Sequence, residues 1–171
     1  MNAGDEMHNL KLYIVTMIVH LFPESRMFAV KRGLYRWAGV KIGSNVRICS
    51  SATFMGAGML SIGDDTWIGH RVFITSSSRV VIGSCVDVAP CVYIGTGSHR
   101  INIQGDHIAG EGYNADVVIG DGAWLCACSV ILPGVEIGNK AVVAAGAAVT
   151  QNCEQQTISG GIPARKIKSL T

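Results

Sequence analysis

The sequence predicts an all-β solenoid of short parallel strands, and three observations carry that prediction. Aliphatic residues return every six positions at Ile42, Ile48, then Ile62, Ile68, Ile74, then Ile82, Val88, Ile94, and again at Ile119, Leu125, Ile131, Ile137, Val143 and Val149. Phe54 fills the one beat position that is not Ile, Val or Leu. Four residues after each beat the residue is small or β-branched, from Val46, Ala52 and Gly58 through Thr66, Val72, Ser78, Val86, Val92 and Ser98 to Ala123, Ser129, Val135, Ala141 and Ala147. Gly often follows the beat directly, as at Gly43, Gly63, Gly69, Gly83, Gly95, Gly120 and Gly138. A large residue pointing inward, a small one in the inner corner and Gly permitting the turn describe one strand–turn unit. Three units close a coil, and stacked coils pair as parallel sheets around a continuous apolar column. A period of six does not build one face of a helix, and the Gly and β-branched content opposes one.

The elements follow in order. Residues 1–39 form an N-terminal helical segment. An apolar run over 10–22 is interrupted by Lys11, Thr16 and His20 and broken by Pro23. It is too short for a bilayer, which needs about 20 residues. Asp5 and Glu6 lead it, which speaks against a signal peptide. A second helix over 24–37 carries Arg26, Lys31, Arg32 and Arg36. The pair either caps the open end of the solenoid or rests as a basic amphipathic element on an anionic membrane face. Residues 40–154 form the solenoid, of about five coils. Two slips, from Phe54 to Ile62 and from Ile74 to Ile82, each add two residues at one corner. The gap from Ile94 to Ile119 extrudes a loop over 99–118, and loops on rigid scaffolds tend to carry function. Residues 155–171 form a C-terminal tail.

Composition narrows the chemistry. A net charge of +2 over 171 residues, with no nucleic-acid motif, excludes a general nucleic-acid binder. Six Cys without a CxxC pair read as buried or half-buried thiols in a reducing cytosol, not as a zinc site or a disulfide framework. Cys85, Cys91 and Cys128 share one slot, three after the beat.

Four stretches give the chain a resemblance to a known family: Val118-Ile-Gly-Asp-Gly-Ala-Trp-Leu125, Ile131-Leu-Pro-Gly-Val-Glu-Ile-Gly138, Ala144-Ala-Gly-Ala-Ala-Val-Thr150 and Gly161-Ile-Pro-Ala-Arg165. Over about residues 40–168 the chain resembles the hexapeptide-repeat acetyltransferases, in the branch of maltose, galactoside and nodulation O-acetyltransferases, colanic acid acetyltransferases and serine acetyltransferase. The resemblance implies a left-handed parallel β-helix, although generic crossover rules favour the right hand. It implies a homotrimer with acetyl-CoA lying between neighbouring solenoids, and no metal. It implies that His99, ending Ile94-Gly-Thr-Gly-Ser-His99, is the general base for an acceptor hydroxyl; imidazole titrates near the operating pH.

Further site residues are expected around that base. Two residues past the beat, Ser50, His70, Pro90, Ala127 and Ala145 form a column. Its small upper part suits a pantetheine arm, and the resemblance places CoA contacts at Ala127, Ala145, Thr150 and Gln151. His70, lower in the column, is a candidate acceptor contact, and so is Asp87. Arg165 and Lys168 are expected to meet CoA phosphates, a task suited to the planar fork of Arg. The acid that orients His99 stays open among Asp87, Asp106, Glu111 and Asp116. Two departures stand out: Thr150-Gln-Asn-Cys-Glu-Gln155 lacks the basic residue common in relatives, and Trp124-Leu-Cys126 replaces their Trp-Ile-Gly.

The reading is an acetyl-CoA-dependent O-acetyltransferase acting on a sugar hydroxyl in surface-polysaccharide biosynthesis. It would be cytoplasmic, with a peripheral membrane contact through the N-terminal segment. Three alternatives stay open. One is serine or amino-sugar N-acetylation on the same fold. Another is a metalloenzyme resembling γ-class carbonic anhydrase, which needs three converging His. The last is a non-catalytic assembly solenoid.

Overall fold

The six-residue beat becomes the inward position of a three-faced parallel solenoid. The structure, a computed structural model, describes residues 7–170. Asp5 and Glu6, used above against a signal peptide, lie outside the described residues. Face A stacks Lys41–Ile42, Met59–Ile62, Arg79–Ile82, Val117–Ile119 and Glu136–Ile137. Face B stacks Arg47–Ile48, Trp67–Ile68, Asp87–Val88, Trp124–Leu125, Val142–Val143 and Thr157–Gly161, and the last of these turns back into antiparallel Ala164–Ser169. Face C stacks Thr53–Met55, Phe73–Thr75, Tyr93–Gly95, Val130–Ile131 and Ala148–Val149. The whole is a left-handed parallel β-helix. Five coils are complete, and a partial sixth begins at the Ile137–Cys153 bridge, so the solenoid is slightly longer than the repeat predicts.

All fifteen beat residues are buried. Each contributes about 1.5–3 kcal/mol by removing its side chain from water, and together they form one column through every coil. The two slips do not sit at a corner. Their extra residues lengthen the face A strands, which gain a second inward row, Leu60, Val80 and Val117, in register with one another. The glycine directly after the beat also has a different role from the one expected. Gly63 is not among the positive-φ residues; a Cβ there would lie 2.6 Å from the backbone of Gly83 and Ser84 on the next coil. Close approach of the coils, not turn geometry, requires it. The left-handed corners fall two residues later, at Asn45, Asp65, Cys85, Gly122 and Lys140 on one edge of the prism, and at Arg71, Cys91, Cys128 and Gly146 on another. Cys85, Cys91 and Cys128 are therefore exposed, a correction to the buried or half-buried thiols expected. Ser98 is exposed as well, because the chain has left the coil by then.

Helix α1 (Asn9–Val19) and helix α2 (Phe28–Trp37) cap the first coil. Tyr35 lies on Phe54 with ring centroids 4.8 Å apart. The first coil has no coil beneath it, so several of its carbonyls face the cap. The basic residues of α2 take them. The Lys31 ammonium donates to the carbonyls of Pro23, Glu24 and Ile48 at 3.1, 2.7 and 3.1 Å. Arg32 donates to Val46, and Arg36 to Ile42 and Gly43. Three of the four cations that suggested a membrane face are thus engaged in closing a sheet end, which otherwise exposes unpaired backbone groups.

Candidate active site

The chain leaves face C after Gly95 and makes an antiparallel hairpin of Gly97–Ile101 with Ala109–Asn114. His99 sits in its first strand, opposite Gly112, just before a register shift. The imidazole Nδ1 lies 2.8 Å from the carbonyl oxygen of Gly110. A carbonyl only accepts, so Nδ1 carries the proton and Nε2 keeps its lone pair. The hairpin backbone therefore sets the tautomer that a general base needs. His99 lines an open groove of about 400 Å³ with Ser77, Gly97, Ser98, Gly112, Tyr113 and Asn114. The sequence reading missed Ser77 and Asn114 and gave Tyr113, on the loop, no role; the pairing of the hairpin brings Tyr113 and Asn114 beside the imidazole.

None of the four candidate acids orients the ring through Nδ1. Asp116 accepts from the Arg79 backbone N–H at 3.1 Å and pairs with its guanidinium at 3.0 Å. Asp87 is on face B, between Trp67 and Trp124, whereas His99 emerges beyond face C. Asp106 and Glu111 are exposed on the hairpin, and the Nδ1 partner is the Gly110 carbonyl.

The column expected at the B–C edge is present. The N–H of Cys91 donates to the His70 carbonyl, that of Cys128 to Pro90 and that of Gly146 to Ala127. These bonds stack His70, Pro90, Ala127 and Ala145 on successive coils. The foot of the column is closed: Ser50 is buried and its hydroxyl donates to the Pro23 carbonyl at 3.1 Å. Glu24, unnoticed in the sequence, organises this foot. It accepts from the Ser51 N–H and hydroxyl, both at 3.1 Å, and lies 3.3 Å from His70 Nδ1. Burial raises the Glu24 carboxyl, but the Ser51 donors and His70 outweigh it and leave the carboxyl below its ordinary value.

Glu24, Cys49 and His70 hold their ligand atoms within 4.8 Å of one another, the one such group among the described residues. It does not fit a divalent cation. The Lys31 ammonium bonds the Glu24 carbonyl beside it, and burial pushes the Cys49 thiol up to about 11, away from the thiolate a metal needs. His70 is the one His in that group.

At the far end of the solenoid, a small cavity of about 180 Å³ is lined by Gln151, Asn152, Cys153, Glu154, Ser159, Ala164, Arg165 and Lys166. Gln151 and Arg165 were each expected to contact CoA, and both line this cavity. Lys168 does not line it; Lys166 does, with its ammonium 2.7 Å from Glu154. Ala145 and Thr150 are exposed, and Ala127 is half-buried.

Comparison with known proteins gives the three-faced solenoid and its extruded hairpin a family. Residues 116–151 match the family model described as bacterial transferase hexapeptide (six repeats). The chain is 32% identical over 145 residues to WcaF of Escherichia coli, assigned as a colanic acid biosynthesis acetyltransferase; the match covers 79% of this chain and 76% of that one. It is 28% identical over 129 residues to the galactoside O-acetyltransferase of E. coli, covering 75% and 63% of the two chains. The hexapeptide-repeat acetyltransferase VCA0836 of Vibrio cholerae, solved with acetyl coenzyme A, superposes with a TM-score of 0.76 at 25% identity, over 95% of this chain and 87% of that one. The chain spans 76% of the length of WcaF, 63% of the E. coli galactoside O-acetyltransferase, and between 25% and 62% of other curated relatives. It belongs to the hexapeptide-repeat transferases, among their acetyltransferases.

Proposed function

We propose that this protein transfers the acetyl group of acetyl-CoA to a sugar hydroxyl during synthesis of a surface polysaccharide. The observation that carries the reading is His99, with Nδ1 held by the Gly110 carbonyl and its ring lining an open groove. Nε2 accepts the hydroxyl proton as the oxygen attacks the thioester carbonyl, and returns it to the departing CoA sulfur. The Gly110 carbonyl steadies the ring while it carries charge, the part a carboxylate plays in other base–orienter pairs. The E. coli relatives named for galactosides and colanic acid support a sugar acceptor over serine. The donor fits the Ala127–Ala145 column, where small side chains leave room for a narrow arm along backbone amides. Thr150 lies at its upper end, and Gln151, Arg165 and Lys166 at the far cavity suit its phosphates. Lys168, His70 and Asp87 keep secondary roles, the first toward the phosphates and the others toward the acceptor of a neighbouring protomer.

This arrangement requires more than one chain. The column lies on the B–C edge and His99 beyond the C–A edge, so a whole face of roughly 15–20 Å separates them. A homotrimer that sets one prism's edge against its neighbour's hairpin closes that distance.

The exposed stripe of Leu10, Tyr13, Met17 and Leu21 on and just after α1 favours an acceptor presented at a membrane surface from the cytoplasmic side. No helix among the described residues is long and apolar enough to cross a membrane.

The test is thiol release from acetyl-CoA across galactosides, glucosides, amino sugars and serine. Release on sugar hydroxyls, lost in His99→Ala, is the expected result. Release on serine alone, or equal rates in His99→Ala, overturns the reading.

A further inference from the structure

The sequence places Cys91 and Cys128 thirty-seven residues apart, but the solenoid stacks them. Val88 pairs with Leu125 and Tyr93 with Val130, with the same number of residues between the two pairs on each strand. Cys91 is therefore directly beneath Cys128. The ladder runs through both: the Cys91 N–H donates to His70 on the coil below, and the Cys128 N–H to Pro90 at 3.0 Å. Adjacent strands lie roughly 4.8 Å apart, which sets the two Cα atoms inside the roughly 4.4–6.8 Å window of a disulfide. Both thiols are exposed and free. Both residues hold φ of 61°, on an edge whose next coil carries Gly146 at φ 69°. Cys is not a residue that favours this left-handed conformation, yet it occupies it on two successive coils. On the coil below sits Arg71, also exposed, in the same slot of the edge. Its charge draws small anions toward the pair.

We propose that Cys91 and Cys128 form a dithiol modification site that reacts with small anionic disulfides and closes into a bond between successive coils. One thiolate attacks a sulfur of the disulfide and expels one small thiolate, leaving a mixed disulfide on the protein. The second thiolate attacks the protein-side sulfur and expels the other. The two cysteines lose two protons and two electrons, and the small disulfide is reduced to two thiols. Cys85, which occupies a different edge with Gly122 above it and Asp65 below, has no such partner and serves as an internal comparison. The site does not rest on the acetyl-transfer reading, although it borders Pro90 and Ala127 of the proposed donor column.

Oxidised glutathione added to the full chain tests the site, with remaining thiols alkylated and the peptides mapped by mass. The expected product links Cys91 to Cys128 within one chain, with two hydrogens lost and no glutathione retained at either position. In Cys91→Ser or Cys128→Ser the link disappears and the remaining thiol keeps a stable glutathione adduct. A lasting glutathione adduct on either cysteine of the unaltered chain overturns the proposal. So does a link to Cys126 or to a second chain, or the survival of both free thiols while Cys85 reacts.

Discussion

His99 depends on one backbone contact. The Gly110 carbonyl fixes its tautomer and leaves Nε2 its lone pair for the proposed role of base, with no carboxylate behind the ring. His99→Ala should lower turnover by about 10²–10⁴-fold with little change in thermal stability, because the ring is exposed. Steady-state thiol release and a melting curve check both halves. Arg165 makes a different kind of contribution. Arg165→Ala should raise KM for acetyl-CoA by more than it changes kcat, since a distant phosphate contact is equally strong in ground and transition states. The place of His99 at the start of the extruded hairpin was legible because it ends a repeat unit where the long gap opens. Its partner was not. A backbone carbonyl has no residue type, so the acids Asp87, Asp106, Glu111 and Asp116 carry no trace of the Gly110 contact. Lys166, and not Lys168, lines the far cavity with Arg165: the register shift in the terminal hairpin decides which cation meets it, and a shift leaves no compositional trace.

The capping helices are the element on which the first coil depends. Lys31 is fully buried, and burial holds its ammonium below the usual lysine value. Lys31→Met keeps the apolar stem but strands the carbonyls of Pro23, Glu24 and Ile48, and should cost about 2–4 kcal/mol in chemical denaturation. Glu24 gives the cap a pH dependence. Its folded carboxyl titrates below the ordinary value of 4.5, so the stability it adds is fully present above that value and is lost as the pH falls through the folded one. Melting temperatures taken from pH 6 downward should fall more steeply below about pH 4.5 for the unaltered chain than for Glu24→Gln. The two helices were legible from the apolar run and from Pro23, and the structure gives them as Asn9–Val19 and Phe28–Trp37. What the sequence left open was whether Arg32, Arg36 and Lys31 face lipid or backbone. Net charge along a helix does not distinguish a solvated cation from one bonded to Val46 or Ile42.

At the scale of the whole molecule, a solenoid places function on its edges, because the faces are occupied by strands and the interior by the Ile, Val and Leu column. Periodicity made that architecture legible from Ile42 to Val149, including the coil that the hairpin interrupts. The broadening of face A by Leu60, Val80 and Val117 was visible only as a slip in count. The proposed donor column and the proposed base stand on different edges, and the account rests on their meeting across a subunit boundary. Mixed trimers of His99→Ala with Ala145→Trp, reassembled in equal amounts, measure this directly. Each variant alone should be nearly inactive. The mixture should regain about a quarter of the unaltered turnover, the share of interfaces that pair an intact base with an intact groove. A mixture as inactive as its parents, or full turnover from a chain that remains monomeric, would contradict the account.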